Sequence, residues 1–478
     1  MPPLERYSKQ LFHKQIVEEI TSYCKEQFGS FSKPHTPLSG IKAGLRFDKK
    51  GFKINFEYDR FAPGARKLDL GYRPKKVEFQ FPDKTVVFES LWFLSHRPPN
   101  LEGDVDIFYT KGYSKRKKYY YRLVFPLHHP LDFRFQIQQM IYHSDIYKSN
   151  RSATKAQISG IELIAYTFQE KDEHFFAIES DNKLSYEDFS DRAYALKNSI
   201  GYLTGYLAGN GGYFFAYTRK EMRDFSHYYF CSFRDTIKSH YSPIHTNPYS
   251  FLHEKRRLAE SIYKKKMLKE VPYSVLSLLS EKLYSSLDFS SAVMLLMESS
   301  IASLLFMPGG YAIVLETLAD LIIGDDKLKL SPIKDRVEAK ELRRKLTEVI
   351  DTECSKLDPY DLKTLRIRVD QINGMTNGAR LRAPFTKLGI NLLDADIEVL
   401  EARNDFLHGR IPDISKSGLT TDIVRKNKDL YYAALRFYTL INMLILKWVG
   451  FEGYVTNYPM INETYIKLKL KEPYYRKV

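Results

Sequence analysis

The chain has 478 residues, enough for about three domains, and its 44% hydrophobic and 27% charged content is that of a globular protein, not a disordered or fibrous one. A formal net charge of +15 and a pI near 9.2 suit a polyanionic partner, nucleic acid ahead of an acidic protein or a membrane surface. Three widely separated cysteines, Cys24, Cys231 and Cys354, exclude a disulfide framework or a zinc knuckle and fit a reducing cytoplasm.

Residues 1–9 carry no apolar core of a signal peptide, and no apolar run reaches the roughly 18 residues that span a bilayer. The stretch 435–449 comes nearest, but Arg436, Asn442 and Lys447 interrupt it, so it reads as a buried helix. A cytoplasmic protein without membrane attachment is expected. The 35 Tyr and 31 Phe favour strands, and most are expected in sheet cores, with stacking on bases as the alternative use.

Along the chain, Leu11, Ile16, Ile20 and Tyr23 predict a helix within residues 5–27. From about Gly40 alternation takes over. Residues 54–58 and 77–81 read as strands, and Asp83-Lys84 before Val86-Val87-Phe88 predicts a hairpin. Further strands are predicted at 106–110, 119–125, 161–167, 175–179 and 212–217. A helix is predicted over 186–207, with Ser185 as N-cap and Gly209 just past its end. The first 240 residues therefore read as a strand-rich α+β region.

Residues 241–273 form a basic junction containing Lys255, Arg256, Arg257, Lys264, Lys265 and Lys266. Such runs are usually solvated helix faces; the functional reading is a surface that contacts RNA. From residue 274 to 478 the pattern is helical, with segments predicted at 275–287, 290–307, 309–323, 334–357, 359–373, 384–388, 394–408 and 429–450. A strand-like tail is predicted at 464–468. The class is thus α+β, a strand-rich region followed by an all-α bundle.

Within 394–408, Ile397, Leu400, Asn404 and Leu407 are spaced to share one helix face, which places Asn404 in an apolar stripe with Arg403 at its border. A donor and a cation there need partners or a cleft. His408 follows Arg403 by five residues, off the face of a regular helix, and Gly409 offers a helix stop beside it.

Arg403-Asn404-Asp405-Phe406-Leu407-His408 resembles the R-N-x-x-x-H motif of HEPN domains. The surroundings strengthen the likeness. They include Asn377-Gly378-Ala379-Arg380-Leu381-Arg382-Ala383-Pro384-Phe385, the helix 311–318 (YAIVLETL) with Glu316 in an apolar run, and the apolar stretch 435–446. Over about residues 275–460 the chain is similar to HEPN proteins of bacterial abortive-infection systems, including the ApeA-like group.

The resemblance implies a helical bundle that pairs as a homodimer, each copy giving one motif to a composite RNA-cutting cleft. It implies no metal and no cofactor. In that chemistry His408 moves the proton of the ribose 2′-OH or of the leaving 5′-oxygen, and Arg403 holds the charge on the phosphorane. Asn404 orients His408 or the phosphate, with Asp405 and Glu316 in support. It further implies cleavage of host RNA such as tRNA, set off by a phage-derived protein, with residues 1–240 sensing the trigger or selecting the substrate. Two other readings stand beside it: a catalytically silent HEPN scaffold that pairs or binds RNA, and a nucleic-acid-binding regulator working through the basic junction.

Overall fold

The computed structural model describes residues 6–32, 38–48, 51–57, 76–97, 100–144, 150–239, 241–324, 331–374, 376–408, 410 and 422–478. The chain is mixed α+β and divides into two compact units, Met1–Ser290 and Ser291–Val478.

In the first unit the chain runs through β1 (Arg6–Leu11), α1 (Lys14–Ser22), β2 (Gln27–Phe31), β3 (Lys42–Asp48), β4 (Gly51–Glu57), β5 (Val77–Gln80), β6 (Thr85–Arg97) and β7 (Asn100–Thr110). It continues with β8 (Tyr120–Leu127), β9 (Met140–Ser144), β10 (Asn150–Ile158), β11 (Ile161–Glu170) and β12 (Glu173–Ser180). Then come α2 (Tyr186–Thr204), β13 (Tyr206–Leu207), β14 (Gly211–Tyr217), β15 (His227–Ser232), β16 (Ile237–Lys238), α3 (Arg256–Lys264) and α4 (Tyr273–Ser285). Fourteen strands form one sheet in the order β1-β9-β10-β11-β12-β8-β14-β15-β7-β4-β3-β2-β5-β6, and β6 also pairs with β7. That last pairing closes six strands, β7-β4-β3-β2-β5-β6, into a barrel and leaves the rest as an open extension.

Every stretch where alternation predicts a strand falls on one, and β1, β2, β3, β9, β10, β13, β15 and β16 form besides. In β4, Phe52, Ile54 and Phe56 are buried while Lys53 and Asn55 are half-buried. β14 is buried at all seven positions, as a strand covered on both faces must be. The aromatic residues supply much of the core: Phe52 meets Tyr23, Phe108 and Phe230 edge-on at 5.0, 4.8 and 4.6 Å. Buried tyrosines also satisfy one another, as Tyr23 and Tyr228 do at 2.6 Å between hydroxyls. Residue 58, expected at the end of the β4 strand, lies outside the described residues.

Two local expectations need correction. Residues 6–11 are a strand, not the start of a helix, because their backbone pairs in parallel with β9; only Lys14–Ser22 is helical, burying Ile16, Val17 and Ile20. Helix α2 starts at the expected Ser185 cap, whose hydroxyl accepts from the Asp188 N–H at 3.1 Å. It stops at Gly205, however, and not at Gly209. Gly205 has φ +73°, and a Cβ there would stand 2.7 Å from the Tyr241 carbonyl. The next two residues pair as β13 with β16.

Helix α4 packs on α2 and β10, so the first unit takes in both the basic stretch and this helix, past the boundary expected at 274. Helix α5 (Leu287–Ser299) runs across the division. The second unit follows with α6 (Met307–Ile323), α7 (Arg336–Glu353), α8 (Pro359–Asp370), α9 (Asn377–Lys387), α10 (Asp394–Glu401), α11 (Arg403–Leu407) and α12 (Ile423–Trp448). It ends with β17 (Tyr454–Thr456), α13 (Tyr458–Ile461), α14 (Glu463–Ile466) and β18 (Tyr475–Lys477). Helix α12 is the axis: residues 432–446 are all buried, and α6 and α10 pack on it. The tail expected as a strand at 464–468 is instead α14, closed by Lys467 at φ +59°, with Ile466 buried and Tyr465 edge-on to Tyr431. The terminal strand lies farther on, where β18 pairs with β17. Among the described residues no helix is long and apolar enough to cross a membrane.

Lys197 of α2 is buried, gives its ammonium to the Ala208 carbonyl at 3.1 Å, and lies 4.9 to 5.5 Å from the rings of Tyr194, Phe233 and Phe125. Burial, helped by the charge of Arg234, pushes its pKa down to about 7. A lowered lysine pKa means the unfolded chain holds the proton more tightly, so the fold gains stability as pH rises from about 7 towards the ordinary lysine range. Lys197→Met is therefore expected to stabilise the protein by about 2–3 kcal/mol at pH 6, with the difference shrinking towards pH 10. Thermal denaturation of both proteins across that range checks it; a gap that does not change with pH refutes it.

Candidate functional site

The motif sits where α10 gives way to α11 at Ala402. The buried positions there are Asp396, Val399, Leu400, Arg403 and Phe406, a continuous face at spacings of three and four. Asn404 and Leu407 are exposed. The expected stripe through Ile397, Leu400, Asn404 and Leu407 is thus turned by about one residue. The cause is charge. Asp396 and Arg403 take interior positions because each meets an opposite charge there, and a count of apolar residues does not register them.

Arg403 is only 7% exposed. Its Nη2 meets Oε1 of Glu316 on α6, and its Nη1 donates to the Asn404 Oδ1 at 2.5 Å. Burial lowers the guanidinium pKa from its usual value, and the Glu316 carboxylate against it supplies the opposing charge. Nε of Arg403 is buried with no hydrogen-bond partner among the described residues. Helices α6 and α11 touch at Gly309, where a Cβ would stand 3.6 Å from the Phe406 carbonyl; Phe406 in turn sits edge-on to Phe437 of α12 at 5.6 Å. Residues Arg380 and Asp320 pair at 3.0 Å and bind α9 to the same α6.

His408 caps α11, its N–H bonded to the carbonyls of Asn404 and Asp405 at 3.2 Å each. The imidazole is exposed and bonds to no side chain among the described residues. Asp405 is half-buried, 3.9 Å from Arg410. Gly409, the expected helix stop, lies outside the described residues. The fold therefore brings Arg403, Asn404 and Glu316 together and leaves His408 at the adjoining surface. Phe306, 72% exposed, and Ile313 lie on the α6 face that carries Gly309 and Glu316, so with Leu407 they form an apolar border to the motif.

What places α10 is a buried ion cluster that apolar periodicity alone does not reveal. Arg436 of α12, without solvent exposure, donates to Asp396 at 3.1 Å, to both oxygens of Glu472 at 2.8 and 2.6 Å, and to the Tyr432 hydroxyl at 2.7 Å. Arg476 of β18 reaches Asp396 at 2.7 Å and the Asn391 carbonyl at 3.0 Å. Asn457 supports Glu472 at 3.1 Å, and Asp396 accepts the Leu393 N–H at 2.8 Å. Burial opposes the charge on Arg436, but Glu472, Tyr432 and Asp396 outweigh it and hold its pKa above the usual guanidinium value. Burial likewise opposes Glu472, and Arg436 overcomes it, holding that carboxyl below its ordinary range. The one signal in the sequence is Arg436 itself, a cation inside an apolar run.

The six cations of the basic junction are exposed and lie in the first unit, on or beside α3; Lys264 pairs with Glu260 at 2.6 Å. Among the described residues no group of three or more His, Cys, Asp or Glu is placed to hold a metal ion. A cavity of about 420 Å³ in the first unit, lined by Phe133, Arg134, Gln139, Phe168 and His174 among others, includes no motif residue. No protein-family model, no characterised protein and no solved structure matches this chain.

The two buried arginines should separate by stability. Arg436→Met takes the cation from Glu472 and leaves Asp396 with Arg476 alone, and is expected to cost about 3–5 kcal/mol. Arg403→Met leaves Glu316, about a quarter exposed, and is expected to cost no more than about 2 kcal/mol. Chemical denaturation of both variants checks this. Equal large losses would make Arg403 a structural residue.

Proposed function

We propose that the second unit is a metal-independent endoribonuclease of the HEPN type, cutting host RNA such as tRNA in an anti-phage abortive-infection response. The observation that carries this reading is the motif's arrangement: a guanidinium held from behind by Glu316 and Asn404, and five residues on an exposed imidazole with no side-chain partner among the described residues. A structural arginine pair has no need of the histidine, and a surface histidine has no need of the pair.

In this reading the phosphodiester lies between Arg403 and His408. The His408 imidazole takes the ribose 2′-OH proton, and the 2′-oxygen attacks phosphorus. The P–O5′ bond breaks, and the departing oxygen is protonated by the histidine of the second motif across the cleft. One fragment ends in a 2′,3′-cyclic phosphate and the other begins with a 5′-hydroxyl. Arg403 stabilises the phosphorane charge, an effect of several kcal/mol in comparable sites. Asn404 positions the guanidinium and Glu316 keeps it aligned. The exposed Phe306, Ile313 and Leu407 suit the pairing of two motifs, since apolar patches beside a polar site mark contact surfaces. A net charge of +15 favours RNA. A phage-derived trigger acting through the first unit belongs to the same proposal.

The silent-scaffold reading draws on one observation, that Arg403 is already occupied by Glu316 and Asn404. Incubation of the full chain and its His408→Ala variant with total RNA and tRNA in EDTA, followed by end-group analysis, decides between them. The parent is expected to release cyclic-phosphate ends and the variant to be at least about 100-fold slower. Equal cutting by both removes His408 from the site. RNA binding without cutting, with or without infected-cell lysate as a source of trigger, supports the scaffold.

A further inference from the structure

Helices α7 and α8 form an antiparallel hairpin in which each packs chiefly on the other. Of the 18 residues of α7 and the 12 of α8, only Ala339 and Val369 are buried. Both lie towards the end of the hairpin where it joins the rest of the unit. The remainder is an arm, with α7 about 27 Å long at 1.5 Å per residue. Its surface is not that of a solvated arm. Val337 and Tyr360 are each 76% exposed, and Leu342, Val349 and Ile367 are also exposed. Leu342 and Val349 are seven apart on α7, and Tyr360 and Ile367 are seven apart on α8, so each helix carries an open apolar stripe.

Charge is distributed unevenly along the arm. The half near the tip, residues 346–364, has five acids (Glu348, Asp351, Glu353, Asp358, Asp361) against two bases. The half near the base, residues 334–345 with 365–372, has eight bases, among them Lys340, Arg343, Lys345 and Arg368, against four acids. Internal pairs, such as Arg366 with Asp351 at 2.8 Å, use only part of this charge.

We propose that this arm pairs with the arm of a second copy of the chain, antiparallel, the acidic tip of each lying on the basic half of the other. An antiparallel two-fold contact matches opposite charges at both ends, whereas a parallel one stacks like on like. The apolar stripes then close into a four-helix packing. This surface is separate from the apolar border of the motif, and the pairing does not depend on RNA cutting.

The test is sedimentation velocity on the full chain over a range of concentrations, at low and moderate salt. Self-association of the parent is expected, weakening as salt rises. Glu348→Lys with Glu353→Lys makes the tip basic, and Lys340→Glu with Lys345→Glu and Arg368→Glu makes the base acidic. Each of these variants alone is expected to self-associate at least tenfold more weakly, and an equimolar mixture is expected to recover parental association, which also shows that both are folded. Val349→Ser with Ile367→Ser, which leaves the charges in place, is expected to weaken association as well. A parent that stays monomeric, arm variants that associate like the parent, or folded charge variants that fail to recover on mixing would overturn the proposal. Loss of association in Phe306→Glu but in none of the arm variants would place pairing at the motif border, sparing the nuclease reading while refuting this one.

Discussion

Arg436 is a guanidinium with no access to water, and the second unit is built around the need to neutralise it. An isolated charge in that position costs several kcal/mol even after relaxation, so the helix that carries it forms only together with its partners. Those partners come from distant parts of the chain: Asp396 on α10, Glu472 before the last strand, and Arg476 on that strand, which balances the second carboxylate. One ion cluster thereby fixes the start of α10 and the C-terminal tail against α12. Everything after Asp396 inherits that placement, including the turn at Ala402 and the burial of Arg403.

The first unit has its own interior pair. Arg122 and Glu179, neither exposed, meet at 2.6 Å, and Tyr166 donates to the same carboxylate at 3.1 Å. His13 lies against Tyr166 and stacks on Phe168 at 3.9 Å, its pKa lowered by burial first and by Arg122 second. These groups are sealed and fully engaged. The Arg403–Glu316 pair differs in standing at the edge of solvent, with one guanidinium nitrogen that has no hydrogen-bond partner among the described residues and the exposed His408 later in the same motif. Sealed pairs fix a fold, whereas a pair at the boundary can exchange partners with an arriving anion.

How much was legible in the sequence follows from what each signal measures. Alternation found β4, β5, β8, β11, β12 and β14 because one or both faces of those strands are apolar. Helical periodicity found α4, α6, α7 and α8 to within about four residues, whereas α5 stops at Ser299 and not at 307, and α12 begins at Ile423 and not at 429. The errors arose where a partner far along the chain decides: β1 is a strand because β9 lies beside it, and α2 ends at Gly205 because the Tyr241 carbonyl crowds that position. At the site, the residue types of Arg403, Asn404, His408 and Glu316 were legible, but the orientation was not. Asp396 turned the helix towards Arg436, and no count of apolar residues could show a carboxylate preferring the interior. Nothing in the pattern separated the exposed stripes of α7 and α8 from core stripes, since both have the same period.

The barrel has a consequence for the order in which the protein takes shape. Its six strands all come from residues 27–110, and four of its six contacts join strands adjacent in the sequence. Closure therefore needs nothing translated after Thr110. The open extension does not have this independence, because β15, at residues 227–232, is the strand that joins β14 to β7. During synthesis the end of β7 at Ile107–Tyr109, which β4 does not reach beyond Val105, waits more than a hundred residues for β15, and unpaired edges recruit other chains. The dense run of charges and tyrosines just after β7, from Lys111 to Tyr121, emerges during that interval, so the exposed edge is followed by a segment whose cations keep nascent neighbours apart.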